Sequence, residues 1–156
     1  MSIEILNETD HPVREKEFVD LARYVLAEMR VHPQAELCIR MVDEDTMTVL
    51  HEQWMDLPGP TDVMSFPMDE LEPAREGEAP QQGILGDIVL CPSVAQKQAV
   101  TAGHATIEEM LLLTTHGILH LLGYDHAEPD EEKEMFELQR QLLLTFLAQQ
   151  GRESGA

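Results

Sequence analysis

Cysteine, aromatic side chains and basic residues are all scarce in this chain. Cys38 and Cys91 are its two cysteines in 156 residues, too few for a disulfide framework. Both sit in apolar, strand-like runs and read as reduced core thiols, which suits a cytosolic protein. Aromatics make up 4% of the sequence and Trp54 is the single tryptophan, whereas nine methionines are spread over apolar faces as core filler. Ten Lys and Arg stand against 30 Asp and Glu, a net charge of -20. Taken alone, that balance argues against a polyphosphate partner, because such binding draws on many cationic contacts. The acids concentrate in residues 69–80 and 125–137, which read as solvated surface with helix-dipole complementarity, so their distribution matters more than the sum. The opening Met-Ser-Ile-Glu-Ile has neither the basic region nor the apolar stretch of a signal peptide. No strongly apolar run reaches the roughly 20 residues that cross a membrane. What is left is a cytoplasmic protein of one domain, residues 1–150, with a flexible tail over 151–156 and room for a real core.

Histidine is where the chain concentrates its chemistry. The run His116-Gly-Ile-Leu-His120-Leu-Leu-Gly123-Tyr-Asp-His126 places three imidazoles in eleven residues. On a helix over 106–122, His116 and His120 stand one turn apart on one face. Gly123 then ends the helix in a left-handed turn and swings His126 over the same point. Three converging neutral nitrogens are the donor set of a catalytic zinc whose fourth position is open. Met110 to Leu113, Ile118, Leu119, Leu121 and Leu122 make the helix apolar almost all round, so it is expected to be buried, and buried imidazoles need partners. A buried histidine network without metal is the competing structural reading. Zinc peptidases share the histidine spacing but carry a glutamate after the first histidine; here that position is Gly117. The ligands fit a peptidase and the base does not.

Along the chain, residues 2–6, 37–42, 61–66 and 86–91 read as strands. Helices are predicted over 15–30, from an N-cap at Asp43 to about 55, from Pro92 to about 101, and over 130–149. Thr106-x-x-Glu109 fits a capping box at the start of the histidine helix. Residues 69–82 form an acidic, Pro- and Glu-rich loop expected to be mobile. The sum is an α/β (α+β) domain, with about four strands in a mixed sheet covered by about five helices.

Three motifs in order, His116 to His126, Pro60-Thr-Asp-Val-Met-Ser-Phe-Pro67 and Leu85-Gly-Asp-Ile-Val89, resemble those of the YbeY family of bacterial metal-dependent endoribonucleases. The resemblance spans roughly residues 3–148. It implies one zinc held by His116, His120 and His126, cleavage of single-stranded RNA, 3′-end maturation of small-subunit (16S) ribosomal RNA, and quality control of ribosomes. Partners would be that RNA and ribosomal particles or their proteins, with no membrane, and the chain is read as a monomer. It further implies that Thr61, Asp62, Ser65 and Phe66 line the cleft beside the metal and that Asp87 opens the neighbouring strand. One departure stands out. The family usually has Tyr-Arg ahead of the Pro-Thr-Asp motif, and that arginine is thought to contact the RNA backbone; here the pair is Trp54-Met55. Arg40 and Lys97 are the candidates for substitute charge.

The expected chemistry is phosphodiester hydrolysis, the metal activating water and polarising a phosphate oxygen. Ser65 and backbone N–H groups would meet the developing charge, and Asp87 would orient a ligand histidine or water. Attack by water or by the RNA's own 2′-hydroxyl stays open. Asp62 caps a turn, Asp125 holds the loop beside the third histidine, and Trp54, at helical spacing from Leu50, is expected in the core rather than stacked on a base. His11, His32, His51 and His104 read as surface residues, His104 being the one next to the histidine helix. Two other functions compete: another metal hydrolase such as a peptidase, and a ribosome-assembly factor in which zinc is structural.

Overall fold

Burial alternates along β2 (Glu36–Met41), which sends Leu37, Ile39 and Met41 to one side of a sheet and Cys38 and Arg40 to the other. β1 (Ser2–Asn7) and β4 (Ile84–Leu90) flank β2 in parallel. β3 (Val63–Pro67) joins β4 antiparallel at the margin, so the order is β1-β2-β4-β3. The computed structural model describes residues 2–69, 71–80, 82–125 and 127–154. Among these, a four-stranded mixed sheet and five helices form one domain, the architecture expected from the sequence.

Helix α1 (Glu15–Glu28) and helix α4 (Thr106–Leu121) cover the Leu37 face, and α5 (Pro129–Ser154) packs across both. Their shared core is aliphatic: Leu21, Ile39, Leu85, Ile88, Leu111, Ile118 and Leu119 are all buried. A smaller cluster of Val42, Met47, Met64, Val89 and Cys91 lies between the other face, α2 (Glu44–Met55) and the start of α3 (Pro92–Ala102). Asp43 caps α2 by accepting from the Thr46 N–H, and Pro92 opens α3, both as the sequence indicates. Cys38 and Cys91 are free thiols whose burial pushes their pKa up.

Several local expectations are corrected. Thr106 is already helical, so no capping box forms; the N-cap is Ala105, and the Glu109 carboxylate instead meets the His104 ring. Described residues of the 69–82 loop are anchored at three points: Leu71 is buried in the main core, the Ala74 N–H donates to Arg30 O, and Asp69 accepts from the Ile84 N–H. Helix α5 runs on to Ser154, and residues 155–156 of the expected tail lie outside the described residues. Strand β3 starts two residues later than expected, since Asp62 turns its carboxylate onto the Val63 N–H.

Candidate metal centre and cleft

Helix α4 runs through the protein with Thr114, Thr115, Gly117, Ile118 and Leu119 buried. Thr114 and Thr115 satisfy their hydroxyls by donating to Met110 O and Leu111 O one turn back. The helix stops in a Schellman motif: the Gly123 N–H donates to His120 O, the Tyr124 N–H donates to Leu119 O, and Gly123 takes φ 98°. Burial, with a smaller contribution from Glu134, pushes the Tyr124 hydroxyl up from its ordinary pKa, so it stays protonated at neutral pH.

His116 and His120 lie on one face of α4 with ring centroids 4.6 Å apart and planes at 80°. The His116 Nδ1–H donates to Gln139 Oε1 of α5 at 2.7 Å, and Phe136 stacks on the same imidazole at 6.0 Å. An amide oxygen only accepts, so this bond puts the proton on Nδ1 and makes Nε2 the nitrogen that carries the lone pair. That is the tautomer a metal-binding imidazole needs, with its other nitrogen tied to an outer partner. On this observation the residues fit a metal. His126, the third expected ligand, lies outside the described residues; among those described, no three metal-binding side chains form a group.

The imidazoles open into a cleft of about 670 Å³ that wraps around the free edge of β3. The register shows how. Ser65 aligns with Ile88, and Phe66 aligns with Asp87. Ile88 packs against Gly117 of α4, within 3.1 Å of where a Cβ would stand. Ser65 therefore faces α4, and its hydroxyl donates to Gly117 O at 3.2 Å. Phe66 and Met64 face the other way, towards α2. Thr61, Asp62, Ser65 and Phe66 line the cleft, as expected, and Asp125, read from sequence as holding the following loop, lines it too. His51, read from sequence as a surface residue, also lines it and ties α2 to the following turn through Gly59 O.

Asp87 is elsewhere. It shares the Cys38 and Phe66 row on the face turned away from α4, is not among the described cleft residues, and raises the Cys38 thiol pKa as the second cause after burial. The bond to a histidine that was expected of Asp87 is made to His116 by Gln139. Its signal in the sequence was faint: one polar residue on the apolar stripe of α5, between Met135 and Leu142. Arg40 is paired with Glu8 and Lys97 with Glu44, so neither candidate charge reaches the cleft. Trp54 is also corrected: it is 61% exposed, on the rim of the cleft instead of in the core.

Gly117 bears on the peptidase alternative. Its α-carbon is turned onto Ile88, where a Cβ already meets three side-chain carbons at 3.1–3.2 Å. The position that carries a peptidase's glutamate is here a packing contact with the sheet.

The Gln139 bond is directly testable. Replacing Gln139 with Leu should weaken metal binding by about 10–100-fold, read by competition with a chromogenic chelator, while Gln139→Glu, which keeps an acceptor, should retain most of it. Unchanged affinity in both variants would remove Gln139 from the site.

The family model described as "Endoribonuclease YbeY" matches residues 4–147 of the chain. A protein of that name from Beutenbergia cavernae is 68% identical over 148 residues, covering 95% of this chain and 99% of the other. One from Kineococcus radiotolerans is 63% identical over 156 residues, covering 97% and 90%. A solution structure of a Thermotoga maritima protein superposes with a TM-score of 0.64 at 28% identity, covering 97% of this chain and 93% of that one.

Proposed function

The chain belongs to the YbeY family of endoribonucleases, and from that premise we propose that it hydrolyses single-stranded RNA at the His116/His120 end of the cleft, with zinc as its metal. The observation that carries this reading is the His116–Gln139 bond beside the open edge of β3. A zinc ion held by His116, His120 and His126 would supply Lewis-acid polarisation of the phosphate and activation of water. Gln139 keeps His116 in one tautomer, and Phe136 limits the tilt of its ring.

Ser65 contributes in two separable ways. Its hydroxyl is committed to Gly117 O and locks β3 to α4. Its N–H is the group that faces substrate. Cys91 donates to Asp62 O and Met68 donates to Leu85 O, so residues 62, 64, 66 and 68 turn their backbone groups to β4 while 63, 65 and 67 turn theirs outward. The Ser65 N–H thus points from the sheet edge into the cleft, placed to donate to a phosphate oxygen as charge develops there.

The substrate we propose is the 3′ region of small-subunit ribosomal RNA, cut in the cytoplasm by a monomer. Among the described residues of the cleft there is no lysine or arginine, and the chain carries a net charge of -20. Ribosomal particles or their proteins would then present the RNA. Metal-loaded protein should cut a labelled single-stranded RNA spanning that 3′ end, free or in small-subunit particles. A chelator should abolish the cut, and zinc should restore it. A 5′-phosphate would identify water as the attacker, a cyclic phosphate the 2′-hydroxyl. In the same assay Ser65→Ala should stay within about 10-fold of wild type, having lost a bond worth roughly 1 kcal/mol. Ser65→Pro, which also removes the N–H at an edge position that tolerates proline, should lose about 100-fold. Absence of cutting in both the free RNA and the particles would refute the proposed substrate; equal activity of the two Ser65 variants would refute the role of the N–H.

A further inference from the structure

Trp54 lies in the last turn of α2 with 61% of its surface exposed, next to Met55 at 57%. Its ring meets Phe66 at 5.9 Å and 72°, an edge contact rather than a stack. Trp54 and Phe66 line the cleft on one side of β3, and the two imidazoles line it on the other. An indole so placed is poorly explained by packing, since it leaves a large apolar surface in water beside a polar site.

The charge on the cleft decides what this surface holds. Among its described residues the only formally charged side chains are Asp62 and Asp125. A phosphate backbone is not drawn in by neutralisation here, so affinity for RNA must come from elsewhere. Single strands offer what duplexes hide, the free faces of their bases, and stacking on an aromatic ring changes affinity by about 5- to 150-fold per base. The perpendicular contact with Phe66 braces the indole without the two rings stacking on each other.

We propose that Trp54, braced by Phe66, is the base-stacking platform of this endoribonuclease: one unpaired nucleobase lies on the indole while the attached sugar-phosphate crosses the edge of β3 to the imidazoles. The inference rests on the endoribonuclease reading of the cleft. It makes selection for single strands a consequence of stacking, and binding correspondingly tolerant of salt.

Trp54 is the only tryptophan in the chain, so intrinsic fluorescence reports on this residue alone. Zinc-loaded protein is titrated with a 2′-O-methylated single-stranded oligonucleotide, the same sequence as a duplex, and an abasic oligonucleotide of equal length. Quenching is expected with the single strand and should need at least about 10-fold more of the other two. In steady-state cleavage, Trp54→Ala should raise KM about 10-fold with kcat changed less than about 2-fold, and Trp54→Phe should recover most of the loss. Equal quenching by the abasic strand, or a Trp54→Ala KM within about 2-fold of wild type, would overturn the assignment. So would quenching by an unstructured peptide but not by RNA, which would give the patch to a protein partner. Cleavage by wild type in the same preparation keeps the two failures apart. Cutting without quenching refutes only the platform, whereas neither cutting nor binding refutes the endoribonuclease reading itself.

Discussion

Replacing His120 with alanine should abolish RNA cleavage while leaving the protein folded. His120 follows His116 by one turn on a helix whose other faces are buried in the sheet and in α5, so the substitution removes an imidazole from the cleft wall and not from the core. Activity should fall by more than about 100-fold, because even the outer partners of metal ligands are worth 10–100-fold. Zinc per chain, measured by mass spectrometry, should drop in parallel, and far-ultraviolet circular dichroism should be unchanged. Full activity and full metal content in His120→Ala would refute the site. Loss of the folded state instead would favour a structural metal, as in the assembly-factor reading. His116→Ala should behave alike, with one addition: it strands Gln139, a buried amide that then lacks its partner and costs about 1–3 kcal/mol of stability.

Gly86→Ala should damage the protein where β3 packs on β4 and the end of α4. Gly86 holds φ 146°, where L side chains are rare, and its added Cβ would sit 2.3 Å from Phe66 O and 3.0 Å from both Leu121 Cδ2 and Pro67 Cα. None of these contacts yields easily, since two are backbone atoms of β3 and the third belongs to the end of α4. Backbone strain and overpacking each cost about 1–3 kcal/mol, so a total of about 3 kcal/mol is expected. For a domain of this size that lowers Tm by roughly 6–12 °C. Cleavage should fall even well below the new Tm, because relief of the clash must push β3 away from the imidazoles. A variant with wild-type Tm and activity would show that β3 is more loosely placed than its register indicates.

What the sequence disclosed was local. The histidine spacing, the Asp43 cap, Pro92 at the head of α3 and the left-handed Gly123 all depend on residues within one or two turns of one another. What it hid depends on where elements stop and which way they face. Trp54 shares a helical stripe with Met47 and Leu50, but the stripe is buried at Met47, whereas at Trp54 it meets only the edge of Phe66 and is largely exposed. Asp87 stands beside Ile88 in sequence, and strand parity alone turns it away from α4. Gln139 touches His116 across 23 positions of chain, and only the packing of α5 on α4 makes that encounter. Periodicity gives the stripe; the neighbour that covers it is a property of the whole fold.

The outer margin of β3 is also poorly furnished for pairing with another strand. An open strand beside a catalytic cleft is a template on which a second chain can add. Addition requires a donor at every other residue of the margin. Val63 has given its N–H to Asp62, Pro67 has none to give, and Ser65 between them retains the one that remains. A single donor anchors a ligand but cannot carry a ladder. The features that, on the proposed reading, equip this margin for a nucleotide strand thus also make it a poor template for a polypeptide strand.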